Sequence, residues 1–348
     1  MQVVISDPPA FTPAYDHELA AALARQEVEV ELVTSRFRFG ETSAPVGYRR
    51  SELFYPVSSR LFGRSPMRIP LKVLEHVPGT TALLLRRPDV LHVQWLAAPE
   101  LDRLLLRPRV PTVFTAHDLL PRRTARKEGL WRRLLSRFDR VVVHSRRGRE
   151  SLADLGIDAT VIPHPVFPSD PVRADDGHTL LCLGTIRPYK GIGDAIAATR
   201  QIPGARLLVA GDPVEPVNGY RADAGDLAEW RLGYLSRSEL ERSLGEATVA
   251  LFPYRPELDQ SGALLQVLGA GVPAVAYDVG GLAEPIETFG AGRVVPAGDI
   301  EALAVAAREL LDDDAALEQA RAGARLARDT LTWDAAAAAH IQLYRELL

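Results

Sequence analysis

The chain has 348 residues, 47% hydrophobic and 25% charged, which is the balance of a folded water-soluble protein with room for two domains of ordinary size. No apolar run approaches the roughly 18 residues that a membrane-spanning helix needs, which excludes an integral helical membrane protein. The single cysteine, Cys182, excludes an internal disulfide and a cysteine-based metal cage, and it suits a small hydrophobe in a buried strand.

The net charge of −4 conceals an asymmetry. Residues 1–168 hold 25 Lys and Arg against 18 Asp and Glu, while residues 169–348 hold 16 against 27. One half is basic and the other acidic, which implies different partners for the two. Met1-Gln2-Val3-Val4-Ile5-Ser6 reads as a first strand without the basic segment and cleavage site of a signal peptide, so the expected location is cytoplasmic.

In chain order, Gln2–Ser6 is a short apolar strand. The loop 7–13 carries Pro8, Pro9 and Pro13 and cannot be helix interior. Glu18–Arg25 is rich in helix formers. Strands are expected at 28–34, 90–95, 112–116, 140–145 and 159–163, with a helix at 149–155. Near-continuous apolar strands that alternate with helices indicate a parallel sheet covered on both faces. Residues 166–177, with Pro168, Pro171, Asp170, Asp175 and Asp176, read as a linker. Beyond it the pattern repeats, with strands at 179–184, 206–210, 248–252, 274–277 and 292–295. Helices fill 194–201, 238–244, 263–269, 301–311 and 314–329, and Asp312-Asp313-Asp314 marks a break between the last two. Two such sheets are expected to face each other across a cleft, the default place for a ligand.

Two stretches depart from the repeat. Residues 49–87 mix Phe54, Tyr55, Phe62 and Ile69 with Arg49, Arg50, Arg60, Arg64, Arg68 and Lys72. Residues 122–137 interleave seven Arg and Lys with Leu130, Trp131, Leu134 and Leu135. The second reads either as a basic amphipathic helix lying on an anionic membrane or as a surface helix with its apolar stripe packed inward.

Ligands of open parallel sheets sit beyond the carboxyl ends of strands. Gly184-Thr185-Ile186-Arg187-Pro188-Tyr189-Lys190-Gly191 is such a strand-end loop, with a guanidinium that can grip phosphate oxygens in pairs and an ammonium that adds a point charge. Phe114-Thr115-Ala116-His117-Asp118 places a histidine past a strand end, where it can bond a hydroxyl or move a proton. Phe252 to Ala263 is strand, polar loop and helix start. Ser261 is a candidate N-cap, Gly262 permits close approach, and free N–H groups there suit a diphosphate. Glu257 and Asp259 could hold sugar hydroxyls, and Gln266 lies one turn into the helix. Val279-Gly280-Gly281-Leu282-Ala283-Glu284 is a further glycine turn past a strand.

In order and spacing these features resemble glycosyltransferase family 4, of GT-B fold, over nearly the whole chain. The resemblance is carried by Gly184 through Lys190-Gly191 with Arg187 inside, Phe252-Pro253 to Gly262, Gly271-Val272-Pro273, and Gly280-Gly281-Leu282-Ala283-Glu284. His117-Asp118 and Ile162-Pro163-His164-Pro165 are similar to the family's first-domain histidine and its linker entry. The resemblance implies two Rossmann-like domains, 1–168 with 332–348 crossing back, and 169–331. It implies a retaining, metal-independent hexosyl transfer from a nucleoside-diphosphate sugar, with no cofactor beyond that substrate. Arg187, Lys190 and the backbone of Gly262, Ala263 and Leu264 would steady the departing diphosphate. The base would rest near Leu232, Gly233 and Tyr234, Gly184 would belong to the donor site, His117 would contact the transferred sugar, and Asp259 or Glu257 would hold its hydroxyls. Tyr15, Asp16, His17 and Asp118 are the acceptor-side candidates. Gln266 stands where the family has its second glutamate, and Pro8–Pro13 stands where it has a glycine-rich loop. A nucleotide-sugar epimerase and a non-catalytic nucleotide-sugar binder are the competing readings. The basic half lacks any recognised nucleic-acid motif and makes peripheral contact with anionic lipid an expectation.

Overall fold

A computed structural model describes residues 1–60, 68–119, 128–255 and 260–348. The chain divides into two compact units, Met1–Pro163 with Trp333–Leu348, and His164–Thr332.

In the first unit the described residues form seven strands: β1 (Gln2–Asp7), β2 (Glu29–Ser35), β3 (Arg49–Phe54), β4 (Val90–Val93), β5 (Thr112–Thr115), β6 (Arg140–Val143) and β7 (Thr160–Val161). All pair in parallel in the order β3-β2-β1-β4-β5-β6-β7. The order reverses between β1 and β4, so their carboxyl ends flank the natural crevice of this sheet. The central strands are buried on both faces, which is why they read as apolar runs. β3 escapes a sequence reading because it is an edge strand that opens with four polar residues in a row. Glu31 of β2 fixes it, accepting from Ser51 Oγ at 2.6 Å and pairing with Arg49 at 2.8 Å and Arg86 at 3.1 Å.

Helix α1 (Pro13–Arg25) begins earlier than expected because Pro13 sits at its first turn, where a missing N–H costs nothing. Helix α2 (Arg68–Leu84) contains Pro78, and α3 (Pro99–Leu105) starts on Pro99. In α4 (Glu128–Leu135) Trp131, Leu134 and Leu135 are buried and Arg132 and Arg133 are exposed. This is the inward-packed alternative, while Arg122, Arg123, Arg126 and Lys127 lie outside the described residues. After α5 (Arg146–Ala153) and β7 the chain leaves for the second unit and returns as the terminal helix Trp333–Arg345. That helix packs on α1, with Arg25 2.6 Å from Asp334, and buries Tyr344.

In the second unit β8 (Thr179–Leu183), β9 (Arg206–Gly211), β10 (Ala228–Leu232), β11 (Val249–Phe252), β12 (Ala274–Tyr277) and β13 (Gly292–Val295) form a parallel sheet ordered β10-β9-β8-β11-β12-β13. β10, Ala-Glu-Trp-Arg-Leu, is again a half-polar edge strand without a sequence signal. Helices α6 (Ile192–Thr199), α7 (Asn218–Ala224), α8 (Arg237–Glu246), α9 (Gly262–Gly269), α10 (Ala283–Phe289), α11 (Ile300–Asp312) and α12 (Asp314–Thr330) complete it, and the terminal helix of the first unit becomes α13. Asp313 ends α11 and caps α12 by accepting from the N–H groups of Ala315 and Ala316. Residues 164–167 already belong to this unit, since Val166 N–H bonds the Leu331 carbonyl and Phe167 N–H that of Leu265. Among the described residues no helix is long and apolar enough to cross a membrane.

Candidate functional site

In the second unit every residue of β8 is buried, and the ladder runs one residue further through Gly184 N–H to the Ala210 carbonyl at 2.9 Å. Gly184 has φ +98, and a Cβ there would lie 3.2 Å from Ala263 Cβ and 3.5 Å from Lys190 Nζ. Glycine thus suits the left-handed turn, and it eases a tight approach to Ala263. Ile186 then bonds the Asp212 carbonyl and Arg187 stands extended and exposed. A tight turn, Pro188–Lys190, leads to Gly191 at φ +66, where a Cβ would fall 1.9 Å from the Pro253 carbonyl oxygen. The loop after β8 is therefore pressed against the loop after β11.

That contact buries Lys190 to 8% exposure, which for an ammonium demands partners. Its Nζ donates to the Tyr254 hydroxyl. Burial holds Tyr254 well above the usual tyrosine range, so it remains a phenol. Its oxygen lies 3.2 Å from Ser261 Oγ, and Ser261 caps α9 by accepting from Leu264 N–H at 3.4 Å. Ammonium, phenol, hydroxyl and helix N-terminus form one connected line. Tyr254 was invisible as a site residue in the sequence, where it reads as one more aromatic after a strand. Beneath it Cys182 is buried and its thiol is pushed up to about 12, so it acts as a small hydrophobe.

Around this line Gly262 is exposed, Ala263 and Gln266 are half-buried and Leu264 is enclosed. Gln260 ties the loop to the glycine turn by donating from Nε2 to the Gly281 carbonyl at 3.0 Å. Gly233 N–H bonds the Gly211 carbonyl, and Tyr234 is 56% exposed. Glu257 and Asp259 lie outside the described residues.

In the first unit the strand ends carry rings. His117, past β5, packs edge-on to Tyr15 with centroids 4.6 Å apart and stacks on Trp95 at 5.4 Å. Its Nε2 is 2.7 Å from Gln94 Oε1 and its Nδ1 is 3.2 Å from Nε2 of His144. Trp95 is fixed in turn by its indole N–H to Thr12 Oγ1 at 2.9 Å. Gln94 and His144 lack any linear spacing to His117 and only the sheet order brings them to it.

Of the acceptor-side candidates, Tyr15 reaches His117 through its ring, and Asp118 is half-buried beside it in the chain. His17 turns elsewhere, its Nδ1 2.8 Å from the Tyr48 hydroxyl. Asp16 is fully enclosed next to Asp7, the last residue of β1. Burial pushes Asp7 up to about 6, and burial together with the Asp7 charge raises Asp16 well above the carboxylate range. The two cannot both ionise in so dry a place and behave as a carboxyl–carboxylate pair. Asp7 also accepts from Thr12 N–H at 3.1 Å, which pins the loop in which Ala10 takes φ +53. A second network absent from the sequence reading joins the Tyr55 hydroxyl to His76 Nδ1 at 2.8 Å and His76 Nε2 to Asp102 at 2.7 Å.

Comparison with known proteins identifies the family and the fold. The model of Glycosyltransferase Family 4 matches residues 15–170, and that of Glycosyl transferases group 1 matches residues 177–313. The chain is 30% identical over 295 residues to glycogen synthase of Mycobacterium tuberculosis, covering 74% of this chain and 69% of that protein. Sucrose-phosphate synthase from Thermosynechococcus elongatus shares the fold with a TM-score of 0.82 at 21% identity, over 100% of this chain and 99% of that one. Anabaena HepE, solved in complex with UDP-glucose, superposes with a TM-score of 0.72 at 14% identity over 100% of both chains. Two parallel α/β sheets of this kind define a GT-B glycosyltransferase fold. Within that class, the chain belongs to glycosyltransferase family 4.

Proposed function

We propose that this chain moves a hexose from a nucleoside-diphosphate donor to an acceptor hydroxyl with retention of anomeric configuration and without a metal ion. The observation that carries the reading is the line from Lys190 through Tyr254 and Ser261 to the start of α9. A buried ammonium joined to a helix N-terminus is a preorganised anion site, and charge builds on the leaving diphosphate in this reaction. The exposed Arg187 adds a guanidinium on the same loop. The bound UDP-glucose of Anabaena HepE supports a nucleotide sugar as donor. His117 serves the transferred sugar, and Tyr15, Trp95 and Asp118 form its surroundings in the first unit.

The test is turnover of a panel of nucleotide sugars with and without a chelator, with the anomeric configuration of the product read by proton NMR. Release of nucleoside diphosphate and an unchanged anomer support the reading. Inversion, or full dependence on added metal, removes the corresponding part of it. Interconversion of donor sugars without transfer would make the protein an epimerase instead. The basic first half further suits an anionic or lipid-linked acceptor. Sedimentation with vesicles containing phosphatidylglycerol against pure phosphatidylcholine decides this, and equal binding sinks it.

A further inference from the structure

The Ile162 carbonyl oxygen lies 3.0 Å from Nδ1 of His144 and can only accept, so that nitrogen carries a proton. Burial pushes His144 down to about 4, so near pH 7 the ring is neutral and its Nε2 is a bare lone pair. This lone pair faces Nδ1 of His117 at 3.2 Å. Two bare nitrogens cannot bond, so His117 donates from Nδ1. On its other side Nε2 of His117 meets the side-chain amide of Gln94 at 2.7 Å, and Gln94 is fully buried.

We propose that His144 and Gln94 are positioning residues for His117, with His144 holding one proton on Nδ1 and the Gln94 amide deciding whether Nε2 carries a second. The role rests on the reading of His117 as a residue of the transfer step. With the Gln94 oxygen turned to His117, as in the structure, Nε2 must donate and the ring is an imidazolium. With the amide turned over, Gln94 donates, Nε2 accepts and the ring is neutral.

The second arrangement propagates. The other end of the Gln94 amide lies 3.2 Å from Nε2 of His92, which also faces Thr115 Oγ1 at 2.7 Å, while Nδ1 of His92 faces the Tyr344 hydroxyl at 2.6 Å. Burial keeps His92 neutral, so its single proton sits on Nδ1 when Gln94 donates to it and on Nε2 when Gln94 accepts. Both hydroxyls rotate to suit either case. Among the described residues, those seen against this line include Tyr15 of α1, Trp95, and His340 and Tyr344 of α13, with Thr115 and His144 at the neighbouring strand ends. Burial holds His92, His144 and His340 below the usual histidine range, so of these four described histidines His117 is the one left to carry charge. A histidine held in this way presents a fixed positive charge, and it can donate to a sugar only if Gln94 or His144 gives up its bond. It cannot act as a free base unless Gln94 releases it.

Imidazole nitrogen NMR on the intact 15N-labelled protein tests the placement without any substrate. Between about pH 6 and 8, His144 should be neutral with its proton on Nδ1, and His117 should remain protonated at Nδ1. A neutral His117 protonated on Nε2 alone, or a His144 protonated on Nε2, overturns the proposal. In the assay, His144→Phe removes the acceptor and should lower kcat/KM for the donor about tenfold or more. His144→Gln keeps an acceptor at the same reach and should recover to within about threefold. Nucleotide binding in both variants, read by thermal shift, confirms that the second unit is intact. Equal loss in both variants with His117 spectra unchanged also overturns it. If the wild type turns over no nucleotide sugar, the glycosyltransferase reading fails, and the imidazole spectra still decide the proton placement.

Discussion

The two units are built on the same parallel sheet plan but furnish their strand ends in opposite ways. In the second unit the loops after β8, β9 and β11 are set by what is missing. Gly191 and Gly211 let backbones approach to distances that any Cβ would block, and the polar groups gathered there are the Lys190 ammonium, the Tyr254 phenol and the capped start of α9, with Arg187 exposed on the same loop. In the first unit the loops after β1, β4, β5 and β6 are set by what is present. Tyr15, Trp95, His117 and His144 wedge against one another, and polarity is delivered by rings. Backbone amides at close quarters suit an anion whose shape is constant, whereas packed rings suit a ligand recognised by its hydroxyls and flat faces. The difference also has a mechanical side, because the first kind of site fails through crowding and the second through loss of contacts.

Crowding gives the largest expected effect. Gly191→Ala drives a methyl into the Pro253 carbonyl and should cost at least about 3 kcal/mol in urea unfolding. By contrast Gly262→Ala, at a glycine with open space around it, should cost less than about 1 kcal/mol. Similar losses for the two would erase the claim that the second unit is shaped by close approach.

Lys190→Ala comes next. It removes the buried ammonium that the proposed function sets against the leaving diphosphate, and kcat should fall by roughly 10²–10³, as for other preorganised electrostatic groups. Arg187→Ala, at an exposed position, should fall less steeply and mostly in KM. Steady-state kinetics with the melting temperature monitored separates both from unfolding.

The first unit is probed through its carboxyl pair. Asp7 has its folded-state value raised to about 6 from 3.8, so it binds a proton in the native state that the unfolded chain has released. Stability from this source is complete below about pH 4 and is lost as pH rises toward 6, by on the order of 2–3 kcal/mol. Asp7→Asn should flatten that slope in urea unfolding at stepped pH. A wild-type slope that survives the substitution would show that the buried Asp7 carboxyl is not its source.

The smallest effect belongs to Tyr254→Phe. It keeps the ring but removes the oxygen between Lys190 and Ser261, and donor KM should rise about tenfold while the fold persists. An unchanged KM would mean that the ammonium holds its place without the phenol.

Most of the fold could be read from the linear chain because buried parallel strands are apolar on both faces. The exceptions are instructive: β3 and β10 are edge strands whose outward residues are Arg, Glu and Ser, so they imitate loops. Pro78 similarly disguised α2. Within the site, the cationic loop and the Ser261 cap were legible because glycine, proline and capping residues report on backbone geometry a few positions away. Gln94, His144 and Tyr254 were not, because their partners lie 23, 27 and 64 residues off and meet them only after the sheets assemble. Asp16 shows the converse, a polar residue in a promising place that the fold turned inward.

Helix α13 carries one more consequence. Its residues 333–345 cover α1 and send Tyr344 to His92, yet they leave the ribosome only after all of the second unit has been made. A nascent first unit therefore waits with one flank bare, and its histidine line can settle only once translation has passed the far side of its companion.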